Sequence, residues 1–309
     1  MKNYLSDHLI SPDNGTALQF DHARHHLLSA DGNYAYEIED GIPVLLPEDA
    51  EQRVLNTPLH ERCGTNFYYL THYRADAEHF DYSKDFDDGA ARHEERRLHE
   101  AIIEVVPADA RRILDVGCGK AWVAQHFCPQ GVAVCSMDAS LTNPRRALQQ
   151  HPFPNHSAVV ADVFNLPFRE NAFDAIIAAE VIEHVPDPNL FVQRLLTALR
   201  PGGVLVITAP YREHRQFTLC VHCNNPTPLH AHLHVFDEEN LRALVAGGQA
   251  RPLFLRTFSN KALARLKTHL LLQFLPWRLW RRVDRLANRL YRQPTRVMMV
   301  VEKGEMIDY

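Results

Sequence analysis

The sequence predicts an α/β fold: a seven-stranded, mostly parallel sheet with helices on both faces, preceded by a small N-terminal β module. Three observations carry this expectation. From residue 111 onward, short apolar segments alternate with segments of helical periodicity, the rhythm of a parallel sheet wound by crossover helices. The first apolar segment, Ile113-Leu114-Asp115-Val116, runs into the turn Gly117-Cys118-Gly119. Two further acidic residues, Asp138 and Asp162, close the next two strands. Carboxylates stepping along successive strand ends beside a glycine turn describe a nucleoside-binding edge, which makes the sheet Rossmann-like.

The elements follow in order. Residues 1–49 form the small β-rich module: Tyr34-Ala35-Tyr36-Glu37-Ile38 alternates like a strand, and Asp40-Gly41 supplies a turn. Ile42-Pro43-Val44-Leu45-Leu46 is a short apolar strand whose proline predicts a sheet edge. Residues 50–110 are a helical connector and lid. Its lid candidates are Asn66-Phe67-Tyr68-Tyr69-Leu70 and His79-Phe80-Asp81-Tyr82. A helix is expected over 90–106, with Leu98, Ile102, Val105 and Val106 inward and Glu94, Glu95, Arg96 and Arg97 on its hydrated side.

Residues 111–309 carry the main sheet. Strands are expected over 112–116, 132–137, 157–161, 173–179, 203–208, 252–258 and 296–302, the last antiparallel to its neighbours. Helices are expected over 121–128, 144–150, 188–199 and 238–246. Residues 260–293 form a helical insertion before the last strand. Trp277, Trp280, Val283, Leu286 and Leu290 recur there at helical spacing, and arginines cover the other faces. Packing on the domain, homo-oligomer formation, peripheral membrane contact through 276–293 and RNA contact are the alternatives for this helix.

Composition narrows the classes. The chain has 309 residues, 46% hydrophobic and 23% charged, with a net charge of -5, so it carries no global basic field for nucleic acid. Six cysteines show no paired framework, which fits reduced thiols and a cytoplasmic protein. The first residues lack the apolar core of a signal peptide, and no run of 18 apolar residues predicts a membrane span.

Asp115 directly before the glycine turn, Asp138 23 residues later, Asp162, Phe173-Asp174 and Leu199-Arg200-Pro201-Gly202-Gly203 occur together and in order. As a set they resemble class I S-adenosylmethionine (SAM)-dependent methyltransferases over residues 90–210. The resemblance implies that Asp115, Gly117 and Gly119 shape the pocket for the methionine part of SAM. It implies that Asp138 bonds the ribose, with Ala139 beside the adenine, and that Asp162 and Val163 bracket the adenine. Ala179 and Glu180 would stand near the methyl group. The stretch Tyr36 to Leu46 resembles the end of the zinc-ribbon activator subunit of tRNA and protein methyltransferases. That family's Cys-x-x-Cys pairs are absent: Ser11-Pro12-Asp13-Asn14 stands at the first, and Ser29 and Gly32 stand near the second.

Two clusters bear on the acceptor. Glu180-Val181-Ile182-Glu183-His184 places two carboxylates and an imidazole at i, i+3 and i+4, a set able to hold a divalent cation. Completed by a later histidine, it resembles metal-assisted methyltransferases of small-RNA ends and of ubiquinone biosynthesis. Cys220 and Cys223, with His230 and His232, are a candidate zinc site. Glu183, His184 and Tyr211 are the candidate catalytic residues facing the acceptor. The expected function is SAM-dependent methyl transfer to oxygen, nitrogen or sulfur of a small-molecule metabolite. Metal-assisted RNA-end methylation and a non-catalytic SAM-binding module are the alternatives.

Overall fold

The computed structural model describes residues 6–50, 67–221, 224–246, 248 and 250–304. Four short N-terminal strands come first: β1 (Leu18–Asp21), β2 (His26–Ser29), β3 (Ala35–Glu39) and β4 (Ile42–Leu45). Two helices follow, α1 (Tyr69–His79) and α2 (Gly89–Ile103). The alternating region then runs β5 (Arg112–Val116), α3 (Trp122–Phe127), β6 (Ala133–Asp138), α4 (Thr142–Gln150), β7 (His156–Ala161), β8 (Phe173–Ala179), α5 (Pro188–Ala198) and β9 (Leu199–Pro210). A hairpin of β10 (Phe217–Leu219) and β11 (Pro226–Pro228) precedes α6 (Glu238–Ala243) and β12 (Ala250–Asn260). The insertion folds as α7 (Lys261–Arg265), α8 (His269–Leu272) and α9 (Trp277–Leu290), and β13 (Pro294–Lys303) closes the chain.

The sheet order is β1-β2-β3-β4-β7-β6-β5-β8-β9-β13-β12. Its last seven strands are the expected α/β sheet, and β13 runs antiparallel to both β9 and β12. Strands β5 to β8 are almost wholly buried, as a parallel sheet covered on both faces requires. The strand order turns back between β5 and β8. Ligands of open α/β sheets bind at the carboxyl ends of the strands at such a switch point.

The sheet does not stop at seven strands. β4 pairs in parallel with β7 through Val44↔Val160 and Leu45↔Ala161, so the N-terminal strands extend the sheet to eleven. Pro43 was expected to mark an edge, yet β4 is interior. Pro43 pairs only with Ile38 of β3, and the β7 ladder starts one residue later, so no ladder bond needs the missing N–H.

Where the resemblance places metal knuckles, the structure has a hydrogen-bond net. Ser11 Oγ lies 2.7 Å from the Tyr36 hydroxyl, which donates to Asp13 at 2.6 Å. Ser29 Oγ donates to Asp31 at 2.6 Å, and Asn14 Nδ2 bridges to the same carboxylate at 2.9 Å.

Two helix faces differ from expectation. Arg97, placed by its pattern on the hydrated side of α2, is fully buried. It donates to the Leu272 and Leu275 carbonyls at 2.7 and 2.8 Å, pairs with Glu100 and lies over the Trp280 ring. The insertion folds back onto α2 and supplies these acceptors, which local periodicity cannot reveal. In α9, Trp280 and Asp284 are buried, and Asp284 accepts the Asn260 N–H at 2.8 Å.

Asp174 ties the strands under the site. It accepts the Arg111 and Arg112 N–H groups at 2.9 and 2.8 Å and the Arg200 guanidinium at 2.7 Å. Burial opposes its ionisation, but the Arg111 N–H and the Arg200 and Arg112 guanidinium groups outweigh it and hold the carboxyl below the usual range. Its stabilisation is therefore complete above the unfolded carboxylate pKa of about 3.9 and is lost as pH falls through the lower folded value. Asp174→Asn should cost about 2–3 kcal/mol at pH 7, read by urea denaturation. The gap to the parent should shrink in strong acid; a constant gap would sink the charge assignment.

Candidate active site

The glycine turn sits at the carboxyl end of β5. Gly117 and Cys118 donate to the Met137 carbonyl at 2.9 and 3.1 Å, which stitches the turn to β6. Gly117 has φ +67°, and a Cβ there would lie 2.7 Å from Val181 Cγ2, so only glycine fits. A Cβ on Gly119, at φ +46°, would meet no described atom within 4 Å. Ala121, two residues past the turn, has φ +53° and no exposure. It adopts the glycine conformation at some strain while its methyl packs in the core.

The three acidic residues share one edge. Asp115 is 3% exposed, and its Oδ2 meets no hydrogen-bond partner among the described residues. Burial, reinforced by the Asp138 charge, pushes its carboxyl well above the usual range. Asp138 closes β6 and accepts the Ser140 N–H and Asn143 Nδ2, both at 3.0 Å. Burial raises this carboxyl too, against those donors. Asp162 follows β7 and accepts the Phe164 N–H at 3.0 Å. Ala139 and Val163 are half-buried beside these carboxylates and pack on the core.

The lid candidate at 79–82 lies over this edge. Asp81 pairs with Arg146 of α4, and Asp85 and Glu95 both hold Lys120 of the glycine turn, at 3.0 and 2.9 Å. The Asp138 charge also bears on Tyr82, whose hydroxyl is raised first of all by burial. The other lid candidate, 66–70, is described from Phe67 onward, with Tyr69 and Leu70 buried.

β8 ends at Ala179, and the next residue, Glu180, has φ +56°. Its carboxylate is held by Thr208 Oγ1 at 2.9 Å and by Arg296. Glu180 therefore does not share a face with Glu183 and His184 as the spacing predicted: the left-handed residue turns it toward β9 and β13. His232 takes its place. The ligand-type atoms of Glu183, His184 and His232 lie within 4.8 Å of one another. The Leu233 and His234 N–H groups donate to the Glu183 carbonyl at 2.7 and 3.3 Å, which carries the histidine segment to the turn. His232 Nδ1 is bonded to Glu213, and the Tyr73 hydroxyl donates to the His184 carbonyl at 3.0 Å.

Glu183 Oε2 and His184 Nδ1 are buried without a hydrogen-bond partner among the described residues. Burial, with the Glu180 charge, pushes Glu183 well up. Burial and the neighbouring His232 push His184 down to about 3, so its imidazole is neutral at pH 7.

The zinc set expected from Cys220, Cys223, His230 and His232 is described only in part. His232 belongs to the Glu183 cluster, and among the described residues Cys220 joins no such group. Cys223 lies outside the described residues. His230 stands behind His232, ring centroids 6.0 Å apart. Tyr211 is not in the cluster. Its hydroxyl donates to Glu238 at 2.7 Å, and it lines an open cleft of about 730 Å³ with Arg212, Glu213, Lys261, Arg292 and Thr295. Glu213 joins that cleft to His232.

Sequence reasoning missed Tyr73, Glu213, Arg296 and His99, which stacks on Trp122 at 4.0 Å. No motif marks them; their partners are 19 to 116 residues away. Only His99 carried a local signal, as a polar residue beside the apolar stripe of α2.

A methyltransferase-domain family model matches residues 90–248, and the chain belongs to that family. A ubiquinone biosynthesis O-methyltransferase of Rhodopseudomonas palustris is 33% identical over 114 residues, 36% of this chain and 44% of that protein. The match thus spans less than half the length of that relative. A SAM-dependent methyltransferase from Mesorhizobium loti superposes with a TM-score of 0.50 at 17% identity, covering 68% of this chain and all of that one. A structure of the Haloferax volcanii Trm112 methyltransferase activator with a methyltransferase gives 0.50 at 15% identity, covering 72% of this chain and all of the matched one. These likenesses show the fold.

Proposed function

We propose that the protein transfers a methyl group from SAM to a hydroxyl oxygen of a small-molecule acceptor, with a divalent cation held by Glu183, His184 and His232. The observation that carries it is the carboxylate–imidazole–imidazole cluster of buried Glu183 and half-buried His184 and His232, beside the carboxylate-lined edge. SAM fits that edge: Asp115 Oδ2 has no hydrogen-bond partner among the described residues, and Gly119 leaves the backbone open to a ligand. When bound, SAM supplies a methyl group already activated by a sulfonium charge, and the cation supplies charge stabilisation for an oxygen anion.

The residues do the rest by placement. Asp138 holds the ribose hydroxyls and Asp162 the adenine amino group. Neutral His184 suits cation binding, whereas Glu183, whose carboxyl is pushed up by burial, would release its proton as a cation binds. Glu213 accepts from His232 Nδ1 and so turns Nε2 toward the cluster. The cleft from Tyr211 to Arg292 receives the acceptor. Glu180 and Arg296 neutralise each other near the methyl position.

The N-terminal strands act in cis as an activator-like extension. They cover the β7 edge, and the segment ahead of β1 reaches the loop after Asp162: Ile10 N–H donates to the Pro167 carbonyl at 3.0 Å, and Arg169 N–H to the His8 carbonyl at 2.8 Å.

The test is transfer of labelled methyl from SAM to a panel of phenols and catechols, with and without chelator. Chelator-sensitive methylation restored by Mg²⁺, Mn²⁺ or Zn²⁺ is the expected result. Methylation of RNA ends but no small hydroxyl compound would replace the acceptor class, and failure to bind SAM would end the enzyme reading.

A further inference from the structure

The helical insertion presents a surface that the active site does not use. Residues 261–292 contain nine lysines and arginines and a single acidic residue, Asp284, in a chain whose net charge is -5. Asp284 is buried, so the outward face of the insertion is purely basic.

The exposed side of α9 divides into two adjacent stripes. At 100° per residue, Arg278, Arg282, Arg285 and Arg289 fall within about 60° of one another. Leu279, Leu286 and Leu290 form the neighbouring stripe, and all three are exposed. Among the described residues, Arg281 pairs with Glu104 and Arg292 with Glu238, whereas the four arginines of the stripe form no salt bridge. The segment before α9 adds Leu270, Leu271 and Phe274 to the exposed apolar surface. Leu271, Phe274 and Leu290 are each more than three-quarters exposed.

The helix is not detached. Trp280 and Asp284 hold its inner face on the domain, and Arg97 clamps the carbonyls of Leu272 and Leu275. A rigidly held helix thus offers a leucine row and an arginine row side by side, far more apolar side chain than a solvated helix leaves uncovered.

We propose that α8 and α9 dock the protein on an anionic lipid bilayer. Leu270, Leu271, Phe274 and the leucine stripe enter the boundary between headgroups and acyl chains. The arginine stripe lies among the acidic headgroups. Each basic side chain at an anionic surface raises partitioning roughly fivefold, and the four unpaired arginines act together. A second copy of the chain does not suit this face, because a two-fold contact would set one arginine row against the other with no acidic residue to receive it. Nucleic acid would meet the arginines but leave the leucines and Phe274 unburied. Lys261 and Arg292, at the two ends of the insertion, line the cleft beside Tyr211, so docking holds that cleft close to the lipid surface.

The test is co-sedimentation of the full chain with extruded vesicles of phosphatidylcholine alone or with about 30% phosphatidylglycerol. Expected is at least roughly tenfold tighter binding to the anionic vesicles, weakened by high salt. The double variants R282E/R289E and L286S/L290S should each lower it roughly tenfold or more with unchanged melting temperature and SAM affinity. Equal partitioning to both vesicle types, or full binding by L286S/L290S, overturns the proposal. So does a concentration-dependent dimer that L286S/L290S dissolves, or RNA retention that R282E/R289E abolishes and L286S/L290S leaves intact. The readouts need no turnover, so they stand apart from the methyl-transfer reading.

Discussion

Asp138→Ala should weaken SAM binding about 100-fold while leaving the fold in place. A carboxylate at the end of β6 is suited to accept two ribose hydroxyls, and each charge-assisted bond is worth about 1.5–3 kcal/mol. Part of that gain is offset because water solvates the free ligand, which brings the net effect to about 3 kcal/mol. Its donors at Ser140 and Asn143 are buried and also lose an acceptor, so a somewhat lower melting temperature is expected beside the lost affinity. Calorimetric titration with SAM and its demethylated product reads the effect, and thermal melting checks the fold. Unchanged affinity for both would remove Asp138 from the ligand edge. Asp174→Asn is the matched contrast: it should lower stability and spare affinity.

Glu183→Gln and His232→Ala should each lower kcat about 100-fold and abolish the response to added divalent cation. Glu183→Gln keeps the side-chain volume, so a loss would report charge rather than packing. Glu213→Gln should cost about tenfold, because Glu213 acts only by orienting His232. Elemental analysis of the purified variants supplies a second reading. Parent-like metal content in both Glu183→Gln and His232→Ala would dismantle the cluster as a cation site. Full activity of the parent in chelator would leave His184 as the neutral group facing the acceptor hydroxyl.

The methyltransferase sheet was legible because its signals are local. Ile113 to Gly119 carries a strand, a carboxylate and a left-handed turn within seven residues. Asp138 and Asp162 each mark the end of an apolar run. The strand alternation of Tyr34 to Ile38 was legible for the same reason. The insertion was legible as an amphipathic helix, but its faces were not. Trp280 turned inward while Leu286 and Leu290, in the same apolar repeat, stayed exposed. Periodicity says which residues share a face, whereas the packing of neighbouring elements says which face is covered.

The acceptor side was legible only in part. Glu183 and His184 stood out as neighbours, and a later histidine was expected to complete them. The choice among His230, His232 and His234 depended on hydrogen bonds to the Glu183 carbonyl, 50 residues earlier. Glu180 went elsewhere because one residue with positive φ redirected it to Arg296. Arg97 looked like surface charge until the insertion brought carbonyls to it.

The sequence by itself determined the seven strands of the main sheet, the glycine turn and the three carboxylates, because strand period and turn chemistry act over a few residues. Tertiary structure alone decided that β4 joins β7, that His232 rather than Glu180 meets Glu183 and His184, and which stripe of α9 is exposed. Those outcomes rest on contacts between distant segments, whose energies depend on distance in space and leave no periodic trace along the chain.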